Sequence, residues 1–287
     1  MVSRYCKSAT KSYLTAILMA MVLAALSAIC QGQTEKESPQ VKHITFSSKK
    51  LPPSLFNMYT GESTAPFLSY RLPENYSRDK QYPLIVYVPG FHGKPGGTIR
   101  NAIDIAGSRE CVVASLPLFK KAVDKSEPAG GLLLSLGDYQ VLSQSYRVML
   151  RKLFDEVPNI DFQQSAMAGF SNGAIAIAVL VSMQDEFILE HFHHFCMVDH
   201  GMFHLCDLHK SPTKDRRFLI LVGDEEDYGR DLKLRGAKLM ADSWRLVGVD
   251  IESRVLTDTG HELPMSCKKQ IGQWIFAKPK TVEEQSP

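Results

Sequence analysis

The 287-residue chain has almost no excess of charge of either sign, with 33 Lys and Arg against 31 Asp and Glu. Three of the basic residues, Arg4, Lys7 and Lys11, fall in the first 30 residues, where there is no acid. Set aside, they leave 30 basic residues facing 31 acidic ones, so no clustered positive field argues for nucleic acid as a partner. Internal repeats and low-complexity tracts are missing from the body of the chain, and 44% of the residues are hydrophobic, which excludes disorder and collagen. The glycine-rich run from Gly90 to Thr98 holds Lys94, but Pro95 stands where a phosphate loop needs Ser or Thr. G-x-G-x-x-G and H-E-x-x-H are also absent. The sequence therefore implies no organic cofactor.

Long apolar runs are scarce too. The one candidate, Tyr13 to Cys30, has an apolar stretch of about 16 residues, short of the roughly 20 that a membrane span needs. Preceded by three positive charges and ending in small residues, residues 1–30 read as a secretory signal peptide cleaved between about residues 29 and 33. Contact with a membrane is expected only through this leader, if it stays uncleaved. The expected location is secreted or periplasmic. Four cysteines then remain, Cys111, Cys196, Cys206 and Cys267, which an oxidising compartment could leave as buried thiols or pair in three ways. Residues 40–278 form one expected domain, and 279–287 a flexible tail.

Within that domain, short apolar runs alternate with longer helical ones. Leu84–Val88, Cys111–Leu116, Ser165–Phe170, Phe195–Val198 and Phe218–Val222 have no polar face, which is what a parallel sheet covered by helices on both sides requires. Val249 to Thr257 supplies a last strand, and the more polar His43–Ser48 and Phe67–Leu72 supply early strands at an antiparallel edge. Leu142, Tyr146, Met149, Leu150, Leu153 and Val157 recur at helical spacing, as do Ala237, Met240, Ala241, Trp244 and Val247. The fold class predicted is α/β, a doubly wound, mostly parallel sheet flanked by helices.

Chemistry concentrates at strand ends. Gly169-Phe170-Ser171-Asn172-Gly173 fits G-x-S-x-G between an apolar strand and an apolar helix. In that sharp turn the flanking glycines avoid clashes and the serine hydroxyl stands clear of the sheet. A serine needs a base to take its proton, and the base needs a carboxylate to orient it. Thr259-Gly260-His261 follows the last strand, and Asp224-Glu225-Glu226-Asp227 follows the strand before it. Serine, acid and histidine thus occur in the order an α/β-hydrolase fold uses.

These motifs resemble the secreted esterase and polyhydroxybutyrate-depolymerase-like group of α/β-hydrolases, related to feruloyl and acetylxylan esterases. Tyr70-Arg71-Leu72-Pro73-Glu74-Asn75-Tyr76, followed by Tyr82-Pro83-Leu84-Ile85-Val86, is similar to that group's lead-in, and Gly169 to Gly173 to its serine turn. The resemblance implies a carboxylic ester hydrolase working through an acyl-enzyme, with acetyl or feruloyl groups on polysaccharide, or small-molecule esters, as substrates. It gives Ser171, His261 and Asp227 the catalytic roles, Glu226 being the rival acid one residue away. Backbone N–H groups of Phe91 and Asn172 become the oxyanion donors. One departure is Pro89-Gly90-Phe91-His92-Gly93, where the family has histidine and this chain has Pro89.

Six histidines crowd His191 to His209, with His200 and His204 one helical turn apart and Asp199 and Asp207 nearby. Without a metalloprotease pattern this cluster is read as metal-free. Asp199-His200-Gly201 is expected as a strand tip shaping the substrate pocket, with His200 and His92 as candidate substrate contacts. Two other readings stay open: a serine peptidase of the prolyl-oligopeptidase-like branch, and a non-catalytic binding protein that kept a hydrolase fold.

Overall fold

The computed structural model describes residues 40–47, 66–90, 99–118, 136–199, 215–225 and 230–277. Eight strands build one sheet: β1 Lys42–Thr45, β2 Phe67–Arg71, β3 Tyr82–Val88, β4 Val112–Ser115, β5 Ile160–Phe170, β6 His194–Val198, β7 Arg217–Gly223 and β8 Asp250–Leu256. Their order across the sheet is β1-β2-β4-β3-β5-β6-β7-β8. β2 is antiparallel to both of its neighbours, and every other pairing is parallel. The mostly parallel sheet and its antiparallel edge match the expectation from the apolar runs.

Helices cover both faces: α1 Ile99–Ala106, α2 Leu136–Glu156, α3 Asn172–Ser182, α4 Glu186–His191, α5 Arg230–Leu246 and α6 Met265–Ile275. Alternation along β3 shows why a strand here has no polar side. Leu84, Val86 and Val88 pack into the core shared with α2, α3 and α5, while Ile85 and Tyr87 pack on the opposite face with α1 and α6. Each such side chain contributes roughly 1.5–3 kcal/mol by leaving water. α1 and α4 are absent from the sequence reading, because eight and six residues are too short to display a stripe over two full turns.

β5 begins at Ile160, five residues before its apolar run. Tyr82 pairs with Ile160 and Pro83 with Asp161, but Ile85 already pairs with Ala166, so the register breaks between them. Ser165 fills the break: its hydroxyl donates to the Asp161 carbonyl at 2.7 Å and accepts from Leu84 N–H at 3.0 Å. Beyond this bulge β5 runs straight to Phe170, which sets the residue after it at the carboxyl edge of the sheet.

Cys111, Cys196 and Cys267 are buried free thiols. Burial pushes Cys111 and Cys267 up to about 12, which holds both thiols protonated and unreactive. Cys206 lies outside the described residues. Among the described residues, no helix is long and apolar enough to cross a membrane.

Candidate active site

Ser171 sits between the end of β5 and the start of α3, at φ 53° and ψ −120°. A non-glycine residue held there costs on the order of 1–3 kcal/mol, and surrounding contacts must impose it. Ser171 N–H donates to the Val198 carbonyl of β6 at 2.8 Å, and its own carbonyl accepts from Ile175 N–H at 3.0 Å. The flanking glycines allow the close approach. A Cβ on Gly169 would stand 2.6 Å from Gly173 backbone, and one on Gly173 would stand 2.2 Å from the Val88 carbonyl oxygen. The turn is thus wedged between β3 and its own helix, with the serine side chain left free to project.

His261 reaches that side chain from the loop between β8 and α6, its Nε2 lying 3.0 Å from Ser171 Oγ. Its ring lies 4.9 Å, centroid to centroid, from Phe170. The loop is held by the end of β7. Glu225 N–H donates to the Thr259 carbonyl at 3.1 Å, and Asp224 N–H donates to the Leu256 carbonyl at 3.1 Å. Gly223 permits this contact, since a Cβ there would meet the Thr259 carbonyl oxygen at 2.2 Å.

The carboxylate at the other imidazole nitrogen is Asp199. Its Oδ2 bonds His261 Nδ1 directly. Asp199 follows the last residue of β6, takes φ 51°, and donates its N–H to the Leu221 carbonyl at 2.8 Å. Only 3% of its side chain is exposed. Burial raises the carboxyl, but the hydrogen bond with His261 and the Lys233 ammonium outweigh it and leave Asp199 below its ordinary value. An ionised Asp199 accepts from Nδ1–H, and that tautomer leaves the Nε2 lone pair facing Ser171 Oγ.

At the imidazole nitrogen where the sequence leads one to expect Asp227, with Glu226 as its rival, the structure sets Asp199, which follows β6, one strand nearer to Ser171. Asp227 and Glu226 themselves lie outside the described residues. In the expected loop, Asp224 Oδ1 faces the Thr259 N–H at 3.5 Å, toward the backbone of the histidine loop and not the ring. Asp199 carried a readable signal: a single carboxylate closing the apolar Phe195-Cys196-Met197-Val198 strand, beside the serine strand. The sequence reading put it at a strand tip near the site without giving it the histidine.

Lys233, on α5, was not foreseen at all. Its Nζ lies 3.2 Å from Asp199 Oδ2 and 3.5 Å from His261 Nδ1. Its Cβ lies on the same helix as the core stripe Ala237, Met240, Ala241 and Trp244, four residues before Ala237, which explains how a lysine comes to point inward. Asn172 opens α3, so its N–H has no helical carbonyl four residues before it. Gly90 brings the loop after β3 against the serine, since a Cβ on it would stand 3.3 Å from Ser171 Cβ. Phe91, the next residue, lies outside the described residues, as do His92 and His200.

The arrangement can be set beside known proteins. No family model matches the sequence, and no curated protein matches it. Solved structures do. A family CE1 ferulic acid esterase from Anaeromyces mucronatus, solved with ferulic acid, aligns over 85% of this chain and 92% of its own, with 15% identity and a TM-score of 0.53. An esterase of Pyrobaculum calidifontis aligns over 84% and 86%, with 14% identity and a TM-score of 0.55. The chain shares the fold of these two esterases. A Bacteroides ovatus protein assigned as dipeptidyl aminopeptidase IV shares it as well, over 83% of this chain but 35% of its own, with 13% identity and a TM-score of 0.54.

Proposed function

We propose that the protein is a serine hydrolase of carboxylic esters, with Ser171 as nucleophile, His261 as base and Asp199 as the carboxylate that orients it. One observation carries the reading: a serine at a strained strand-to-helix turn has its Oγ 3.0 Å from His261 Nε2, while a buried carboxylate bonds the opposite nitrogen. A serine, an imidazole and an aspartate so chained are equipped for acyl transfer.

The steps follow from that chain. Ser171 Oγ attacks the ester carbonyl as its proton passes to His261 Nε2, and Asp199 stabilises the imidazolium that forms. The negative charge moves to the carbonyl oxygen. There the Asn172 N–H at the head of α3 and the Phe91 N–H are the proposed donors, each able to supply about 3 kcal/mol of transition-state stabilisation. The bond to the alcohol oxygen then breaks, the alcohol leaves with the proton from Nε2, and Ser171 keeps the acyl group. Water, deprotonated by the same nitrogen, hydrolyses the acyl-enzyme and restores the serine.

An ester is preferred over a peptide substrate because both esterases align over most of their own length, whereas the peptidase aligns over 35% of its own. Acetyl or feruloyl groups on polysaccharide are the proposed substrate class, by analogy with the ferulic acid esterase, and export through residues 1–30 would deliver the enzyme to them. A fluorophosphonate probe and a panel of acetyl, butyryl, octanoyl and feruloyl esters test the proposal, with dipeptide anilides as the peptidase arm. Labelling at Ser171, with turnover of an ester that vanishes in Ser171→Ala, is the expected result. An unlabelled serine would mean a binding protein, and anilide cleavage without ester cleavage would mean a peptidase.

A further inference from the structure

Lys233 projects from α5 with 14% of its side chain exposed and places its ammonium on Asp199 Oδ2, the same oxygen that His261 uses. Two donors therefore share one acceptor. Nδ1 already donates to Asp199, so the 3.5 Å separation between Nζ and Nδ1 is a meeting of a cation with a ring that becomes cationic during catalysis.

Resting on the serine hydrolase reading, we propose that Lys233 is a positioning residue that fixes the Asp199 carboxylate and opposes protonation of His261, extending catalysis to more acidic pH. A carboxylate with a lone imidazole partner stabilises the imidazolium and favours uptake of a proton from solvent. A second cation on that carboxylate neutralises part of its field, so the free enzyme keeps a neutral base at lower pH. The same cation weakens stabilisation of the imidazolium in the transition state, so the wider pH range comes with a lower plateau rate.

Among the described residues, the other charges around His261 do not duplicate the effect. Glu225 and Asp224 lie beside the backbone of its loop, and Glu225 Oε2 would stand 3.2 Å from a Cβ on Gly260. Arg230, at the start of α5, donates to the Asp224 carbonyl at 3.3 Å and lies 3.4 Å from Asp231. Glu262 follows the histidine in the chain, and Cys267 on α6, close enough to Asp199 to be raised by its charge, stays a neutral thiol. Among these groups Lys233 alone meets both the carboxylate and the ring.

The test compares wild type with Lys233→Met and Lys233→Arg, following kcat/KM against pH and, in a Ser171→Ala background, the titration of the His261 ring by NMR. Lys233→Met should move both the acid limb and the ring titration toward higher pH by about one unit, and Lys233→Arg should restore them. A Met variant that loses turnover evenly across pH, with the ring titration unmoved, would overturn the proposal and leave Lys233 a structural residue. The NMR arm needs no turnover. A ring titration that shifts as expected in a protein without ester activity would therefore uphold the charge coupling while refuting the hydrolase reading.

Discussion

Ser171 and Asp199 stand at the ends of neighbouring parallel strands, β5 and β6, joined by the 2.8 Å bond from Ser171 N–H to the carbonyl of the residue before Asp199. Both take positive φ, at 53° and 51°, so each side chain turns away from its strand direction at the same edge of the sheet. His261, arriving from β8, spans the gap between them by offering one ring nitrogen to each. The short arm of this arrangement is a fixed feature of the sheet, and the long arm is a loop pinned at Gly223 and Glu225.

Asp199→Asn should lower ester turnover by up to about 10⁴ with the fold intact, because an amide at Nδ1 favours the tautomer that cannot accept the serine proton. Asp227→Asn should stay within a few-fold of wild type. Groups that act as one unit are grossly non-additive, so Ser171→Ala combined with Asp199→Asn should be scarcely slower than Ser171→Ala alone. Steady-state kinetics on the best ester of the panel decide it. A crippled Asp227 variant beside an active Asp199 variant would return the acid to the loop after β7.

The fold was legible because its strands are apolar on both faces, and only a covered parallel sheet explains Leu84–Val88 or Phe218–Val222. Ser171 and His261 were legible for a related reason: Ser171 directly follows β5 between two glycines, and His261 stands in the short loop after β8. The carboxylate at His261 Nδ1 is harder to read, because proximity along the chain is not proximity across the sheet. Asp224 to Asp227 make a conspicuous acidic run, whereas Asp199 is one carboxylate among histidines, and only the pairing of β5 with β6 gives it its place. Helical periodicity puts Lys233 on the inward stripe of α5, one turn before Ala237, but it does not reveal the carboxylate 34 residues earlier in the chain that the ammonium meets.

Gly173→Ala should damage folding more than chemistry. Its Cβ would meet the Val88 carbonyl oxygen at 2.2 Å and the Pro89 carbonyl oxygen at 2.5 Å, and neither is the far end of a side chain that can swing away. Overpacking against backbone costs about 1–3 kcal/mol, and this site belongs at the upper end. Gly248→Ala is the control: a Cβ there meets nothing within 4 Å, though φ of 85° makes it strained in its own right. Chemical denaturation should rank Gly173→Ala as the less stable of the two, and equal midpoints would show that β3 yields to the turn.

Acid stability should be limited by a histidine remote from the site. His194, on β6, is buried, has no hydrogen-bond partner for Nδ1 among the described residues, and meets the edge of Trp274 at 5.8 Å between ring centroids. Burial first, and the Arg217 guanidinium second, lower it from 6.5 to about 4. The folded protein therefore refuses a proton that the unfolded chain accepts, so the contribution is fully present above about 6.5 and is lost progressively as pH falls toward about 4. At pH 5 the loss from this group amounts to about 2 kcal/mol relative to pH 7.5. His193 is lowered too, again by burial first, and adds to the loss in the same direction. His194→Phe keeps an aromatic ring against Trp274 without a titrating nitrogen. Its unfolding free energy, measured by denaturant at both pH values, should fall by about 2 kcal/mol less than that of wild type. If the two proteins lose the same amount, His194 takes up its proton in the folded state, and the acid sensitivity must come from elsewhere.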